Sequence, residues 1–263
     1  MTNTLNFSKM HGLGNDFMVI DGVNQSIQLS ASDIQAFSDR HRGIGFDQLL
    51  LVGPSKIAGV DFSYTIFNAD GTESGQCGNG ARCVARFIHE KKLSTKKKLT
   101  LETKTSHVVV EIHDDHYQRI TAQLGVPSII PEEQLLQFHA FHSIDVGNPH
   151  AIMRVDDISV IPVHEIGTFF NKSTYFPKGV NVEWMQIDRP NKLKLRVFER
   201  GTGETQACGS GACAAMICAR KFYGADSTMD VELPGGILSI HWEGEGQPVS
   251  VTGSAVHVFD GVL

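Results

Sequence analysis

The chain has 263 residues, 41% of them apolar and 20% charged, with a formal net charge of −6. That balance supports a sizeable core and argues against disorder. It also argues against a nucleic-acid binder, which would carry a basic face. The length fits one large domain or two of ordinary size. The opening "MTNTLNFSKMHG" lacks the charged and apolar regions of a signal peptide. No apolar run approaches the roughly 18 residues that cross a bilayer. A cytosolic protein without membrane or nucleic-acid partners is therefore expected.

In chain order, "FSKMHG" and "DFMVIDG" predict the first strands. "SASDIQAFSDRH" predicts a capped helix. "QLLLVG", "DFSYTIFN", "LTLETK" and "HVVVEIH" predict further strands, each rich in β-branched or aromatic residues and bounded by Gly, Asn or Asp. Between them, "GARCVARFIHEKK" predicts a largely apolar and hence buried helix. The lysines at 91–92 and 96–98 read as a solvated helix end and turn. The second half repeats the style. Strands are predicted at "RITAQLG", "FHSIDVGNPH", "AIMRVDD", "VNVEWMQI", "KLKLRVFERG", "STMDVELPGG", "ILSIHWEG" and "PVSVTGSAVHVFDG". One buried helix is predicted at "GACAAMICARKFYG".

The two halves align through their helix starts. Asn68–Ala81, "NADGTESGQCGNGA", matches Glu199–Ala212, "ERGTGETQACGSGA", without a gap. Glu, Cys, Gly, Gly and Ala coincide, and Ser74 faces Thr205. Asn15 in "GLGNDF" has a looser counterpart in Asn148 of "VGNPH". The period is too long for a solenoid. It predicts an α+β fold of two similar halves related by a pseudo-twofold axis, with the repeated motifs facing each other. The halves are expected to be residues 1–121, with the C-terminal strand 254–263 added, and residues 122–253.

Cys77 and Cys208 fall at the N-caps of the two buried helices. A first helical turn has backbone N–H groups left over and a positive dipole end. An oxyanion can sit there, and glycines let it approach closely. The same field should lower a thiol pKa. Two such ends around one small volume could hold a carboxylate and place a thiol on either side of its α-carbon. One thiol would remove a proton and the other return one, with the N–H donors stabilising the enolate-like charge.

Other readings fit less well. Cys83, Cys213 and Cys218 lie inside apolar helices and read as core packing. Neither "CGNGARC" nor "CGSGAC" has the CxxC spacing of zinc or thioredoxin-like motifs. Neither has the third glycine of a dinucleotide fingerprint. No metal is expected. His113, His116, His139 and His142 read as surface residues. A thiol-based redox sensor or a binding module remains the alternative from another class.

The chain resembles the diaminopimelate epimerase family. The resemblance runs through "KMHGLGNDF", "GIGFDQLLLV", "FNADGTESGQCGNGARC", "VGNPHA", "GVNVEW", "FERGTGETQACGSGAC", "LPGG" and "GSAVHVFDG". It implies that each half is a mixed sheet wrapped around a central helix, with the active site in the cleft between the halves. It also implies a cofactor-independent epimerase of L,L- and meso-diaminopimelate, serving lysine and peptidoglycan precursor synthesis, and a homodimer. It makes Cys77 and Cys208 the acid/base pair, with His150 and Glu199 tuning their pKa values. Gly78, Asn79, Gly209 and Ser210 would hold the reacting carboxylate. Asn15, Gln48, Asn68, Asn148, Asn181, Glu199 and Arg200 would bind the other polar groups of the substrate. Proline and hydroxyproline racemases share the reaction on a smaller substrate that would not need Asn68, Asn148, Asn181 and Arg200. The phenazine-biosynthesis isomerases replace the cysteine pair, which this chain keeps.

Overall fold

The computed structural model describes residues 4–75 and 77–263. In chain order the first elements are β1 (Asn6–Gly12), β2 (Asn15–Asp21), α1 (Ala31–Ser38), β3 (Gln48–Pro54), β4 (Phe62–Asn68), β5 (Glu73–Ser74) and α2 (Gly78–Glu90). They are followed by β6 (Lys98–Glu102), β7 (His107–Ile112), β8 (Ile120–Gln123), β9 (Ser128–Ile129), β10 (Gln134–Leu136), β11 (His139–Asp145) and β12 (Pro149–Arg154). After a 3-10 turn at Ile158–Val160 come α3 (Val163–Lys172), β13 (Asn181–Arg189), β14 (Lys192–Glu199), β15 (Gly203–Thr205) and α4 (Gly209–Tyr223). The chain closes with β16 (Thr228–Leu233), β17 (Gly236–His241), β18 (Ser250–Gly253) and β19 (Val256–Val262). It divides into two compact units. One comprises the residues up to Ala122 together with Gly253–Leu263, and the other is Gln123–Thr252.

In the first unit, β1 lies antiparallel between β19 and β2. Then β2 runs parallel to β3, β3 antiparallel to β4, β4 parallel to β6, and β6 antiparallel to β7. Parallel neighbours need a crossover, and the two parallel steps are bridged by α1 and α2. The first crossover helix starts with a capping box between Ser30 and Asp33. The second is buried along most of its length, packing Val84, Phe87 and Ile88 against the sheet. Arg82 is fully buried inside it. Its guanidinium donates to Asn79 Oδ1 at 2.9 Å and to Gly78 O at 3.3 Å, which is how a charged group is accommodated there.

The second unit repeats this order. Antiparallel β11–β12 is followed by parallel β12–β13, antiparallel β13–β14, parallel β14–β16 and antiparallel β16–β17. Its crossovers are α3 and α4. Ten residues of α4 are buried, mostly Ala, Gly and Cys, so strands can pack closely all round it. It ends on Gly224 in the left-handed region (φ +71°), where glycine carries no Cβ penalty. Each unit is thus a mixed sheet around a central helix. Cys83, Cys213 and Cys218 are fully buried in those helices.

Several features depart from the sequence-based expectations. The helix α3 is one the sequence pattern does not predict. Its N-cap, Pro162, makes no side-chain cap bond, and Gly167 interrupts its pattern. That glycine is a packing requirement, because a Cβ there would sit 2.2 Å from the Phe198 ring. "FHSIDVGNPH" is two strands, turned at Gly147 (φ +104°). The C-terminal stretch also divides, with β18 pairing β17 and β19 pairing β1. His142 is buried rather than superficial, its ring stacked on Phe222 with centroids 3.9 Å apart. His139 is half-buried against Phe169 and Phe170, whereas His113 and His116 are exposed.

Candidate active site

Both motif cysteines are helix N-caps. Cys77 is extended (φ −148°, ψ 108°) ahead of α2, and its Sγ accepts the Gly80 N–H at 3.3 Å. The Tyr64 hydroxyl donates to the Cys77 carbonyl at 3.1 Å. Three polar side chains stand at the ends of neighbouring strands beside this helix start. Asn15 opens β2, opposite Gly12 across the tight turn. Its Oδ1 lies 3.9 Å from Cys77 Sγ and accepts from Asn79 Nδ2 at 3.3 Å. Its Nδ2 donates to Asp47 Oδ2 at 2.9 Å, which fixes the amide's direction. Gln48 opens β3 opposite Asn68, the last residue of β4, and its Nε2 donates to Asn68 Oδ1 at 3.1 Å.

The second unit builds the same turn. Cys208 (φ −124°, ψ 110°) caps α4, and its Sγ accepts the Gly211 N–H at 3.4 Å. The Ser210 hydroxyl lies 3.5 Å from the sulfur. Asn148 Nδ2 donates to Ser210 Oγ at 3.4 Å. His150 Nε2 is 3.1 Å from Asn148 Oδ1, and its Nδ1 is 2.6 Å from Glu183 Oε1. Glu199, the last residue of β14, accepts from Thr205 at 2.5 Å and is hydrogen-bonded to Cys208. Asn181 Oδ1 accepts the Arg200 N–H at 2.9 Å, and the exposed Arg200 guanidinium reaches Lys178 O at 3.1 Å.

The electrostatics differ from the expectation of a lowered thiol pKa. Burial pushes the Cys208 thiol well above its usual range, and the carboxylates of Glu199 and Glu183 push it further. Donors from Ser210 and Gly211 offset part of this. A helix end contributes about half a charge at most, too little to outweigh complete desolvation of the sulfur. Burial likewise raises the Glu199 carboxyl against its bonds to Thr205 and Cys208. These surroundings favour the thiol form of Cys208 over the thiolate. A thiol beside a first helical turn is a proton donor next to an anion-binding end.

Sequence reasoning singled out neither Glu183 nor Asp47. Glu183 lay unremarked within "GVNVEW", and Asp47 within "GFDQ". The signal available for Glu183 was an acidic residue between apolar neighbours on a central strand. Among the described residues, no group of three His, Cys, Asp or Glu side chains is arranged to hold a metal ion.

Each half is a sheet-wrapped helix capped by cysteine. The fold matches a hydroxyproline epimerase from Agrobacterium vitis, with TM-score 0.77 and 15% identity over 100% of this chain and 93% of the other. It also matches a PhzF-family phenazine biosynthesis protein from Bacillus anthracis, with TM-score 0.76 and 18% identity over 99% of each chain. At such identities the likeness speaks for the fold alone. The diaminopimelate epimerase family model matches residues 7–130 and 142–258. The chain is 47% identical over 272 residues to a diaminopimelate epimerase of Stutzerimonas stutzeri, covering 98% of each. It is also 47% identical over 275 residues to one from Legionella pneumophila strain Corby, covering 98% of this chain and 99% of the other. The chain belongs to the diaminopimelate epimerase family.

Proposed function

We propose that this protein interconverts L,L- and meso-diaminopimelate through two bases, Cys77 and Cys208, placed on opposite faces of the reacting α-carbon. The observation that carries the reading is the repeated cap geometry. Each thiol sits at the start of a buried helix and accepts the N–H of the residue three positions on. In one direction a thiolate takes the α-proton as the C–H bond breaks. The other thiol gives up its proton as a new C–H bond forms on the opposite face. The step is redox-neutral, and in this reading the two thiols and the helix-end N–H donors carry it. The N–H groups of Gly78, Asn79, Gly209 and Ser210 stabilise the charge that develops on the carboxylate.

In this reading the first half contributes Asn15, Gln48 and Asn68 to substrate binding, and the second half Asn148, Asn181, Glu199 and Arg200. The planar Arg200 fork suits a carboxylate and Glu199 an ammonium, so the second amino-acid end of the substrate is recognised as well as the first. His150 and Glu199 set the proton affinity of the nearby thiol. The protein works in the cytoplasm as a homodimer. What supports the dimer is the terminal strand β19 and the residue after it, which expose Val258, Phe259, Val262 and Leu263. No helix among the described residues is long and apolar enough to cross a membrane.

The test is incubation of the purified protein with L,L-diaminopimelate, resolving the isomers by chiral chromatography. Formation of the meso isomer to equilibrium is expected, with none from hydroxyproline. Absence of conversion, or turnover of hydroxyproline instead, would overturn the reading.

A further inference from the structure

The two halves use the same strands for different purposes. In the first, Phe17 on β2 and Leu50 on β3 are fully buried hydrocarbon beneath the start of α2. The residues 133 positions further on, His150 on β12 and Glu183 on β13, are buried and polar. Phe17 pairs with Gln48 as His150 pairs with Asn181, so the positions correspond in register. A Cβ on Gly80 would meet Leu50 at 3.3 Å, whereas one on Gly211 would meet Glu183 Oε1 at 2.9 Å. The second glycine of "CGSG" thus leaves room for a carboxylate under the helix turn. A buried ionisable pair is often less stabilising than hydrocarbon of similar volume. The first half shows that hydrocarbon is compatible with this architecture, so stability does not explain the pair.

We propose that Glu183 is a positioning residue for proton transfer at Cys208, acting through His150, Asn148 and Ser210; the proposal rests on Cys208 being one of the two bases. The groups facing Glu183 are His150 from β12, Glu199 from β14 and Cys208 at the cap of α4. Both side chains of the Glu183–His150 pair are 0% exposed, and Glu183 Oε2 has no hydrogen-bond partner among the described residues. Burial raises the Glu183 carboxyl above its ordinary range, against its bond to His150, so an extra proton is kept in the 2.6 Å bond between Glu183 Oε1 and His150 Nδ1. With that proton in place, His150 Nε2 carries a hydrogen and donates to Asn148 Oδ1. The Asn148 amide must then present Nδ2 to Ser210 Oγ, leaving the Ser210 hydroxyl hydrogen for Cys208 Sγ. Every donor along the chain points toward the sulfur, where it stabilises the thiolate formed during turnover. Without the extra proton, His150 can carry its hydrogen on Nδ1. The Asn148 amide turns over and the Ser210 hydroxyl is drawn away from the sulfur.

Glu183→Leu, which puts at this place the hydrocarbon that Leu50 supplies in the first half, tests this with an effect opposite in sign to simple electrostatics. A glutamine amide there could still donate to His150 Nδ1 and keep the donors directed. Removing a carboxylate near Cys208 would by itself favour the thiolate. Loss of the directed donors disfavours it. The readout is the iodoacetamide alkylation rate of each cysteine at fixed pH, followed by mass spectrometry in the ligand-free protein. Cys208 should react about fivefold more slowly than in the wild type, roughly the worth of one hydrogen bond, with Cys77 unchanged. With diaminopimelate, kcat should fall while KM stays near its wild-type value. An unchanged or faster Cys208 reaction would overturn the proposal. Nitrogen-15 NMR of the histidines in the wild-type protein tests it without a variant. A hydrogen on His150 Nε2 is expected, and a bare Nε2 would refute it. Failure of the epimerase reading would appear separately, as a wild-type protein that does not turn over diaminopimelate.

Discussion

The Gly211 N–H donates to Cys208 Sγ at 3.4 Å, and Gly80 makes the same bond to Cys77 at 3.3 Å. A cap bond to sulfur rather than to a hydroxyl or carboxylate is unusual. It places each sulfur over the open first turn of its helix. From this follows the first expectation. Cys77→Ala and Cys208→Ala should each lower kcat by at least roughly 10²–10⁴-fold, the usual worth of a positioned acid or base. Circular dichroism should show the fold unchanged. A variant that keeps near wild-type turnover would remove its cysteine from the mechanism.

The ligand-free Cys208 should be sluggish toward alkylation near neutral pH. Burial and the carboxylates of Glu199 and Glu183 raise its pKa, so its thiolate becomes abundant only above the ordinary thiol range. Its iodoacetamide rate should still be climbing with pH where a free cysteine peptide has levelled off. Levelling below the peptide's own midpoint would contradict the assigned surroundings.

Gly167→Ala on α3 sets two effects against each other. Alanine in a helix interior gains about 1 kcal/mol over glycine. The new Cβ would sit 2.2 Å from the Phe198 ring, and overpacking of this kind costs roughly 1–3 kcal/mol. Phe198 is held in the core with Trp184 and Phe170, so the clash should win. Urea denaturation should show a net loss of stability, and a gain would mean the helix can move off the sheet.

Asp16 ties the start of β2 to its surroundings. It bonds Lys9 at 2.5 Å and Arg40 at 2.7 Å. Burial opposes its ionisation, yet the bonds from Arg40 and Lys9 hold the carboxyl down at about 2. A depressed carboxyl stabilises the fold above its unfolded value, near 3.8, and the contribution is lost as the pH falls through about 2. Asp16→Asn should therefore cost about 1–2 kcal/mol near neutral pH, allowing for the exposed Arg40 partner. The difference from wild type should shrink as the pH drops from about 4 toward 2. A penalty that stays constant over that window would assign the residue a packing role instead.

The caps were legible because their signals are local. A cysteine, two glycines and an alanine-rich run after a strand specify the turn, the helix and its burial together, and the gap-free repeat specifies them twice. Legibility failed where tertiary packing overrides the local pattern. Pro162 and Gly167 obscure α3, whose glycine answers to the Phe198 ring rather than to helix propensity. His142 has a polar sequence setting and is buried only because Phe222, on α4, stacks on it. Glu183 reads as a solvated strand residue until its strand is placed centrally, beside β12 and beneath α4. The Cys208 thiol pKa runs opposite to the sequence-based expectation because the helix dipole is visible in sequence and desolvation is not.

The central claim, one base for each face of the α-carbon, is tested most directly in deuterium oxide. The wild-type protein is given L,L-diaminopimelate in D₂O, and both isomers are examined by proton NMR at low conversion. The donating thiol carries solvent deuterium, so the meso product should be deuterated at the inverted carbon while the recovered substrate keeps its protium. Protium retained in the product, or deuterium entering substrate and product alike, would mean that a single group serves both faces.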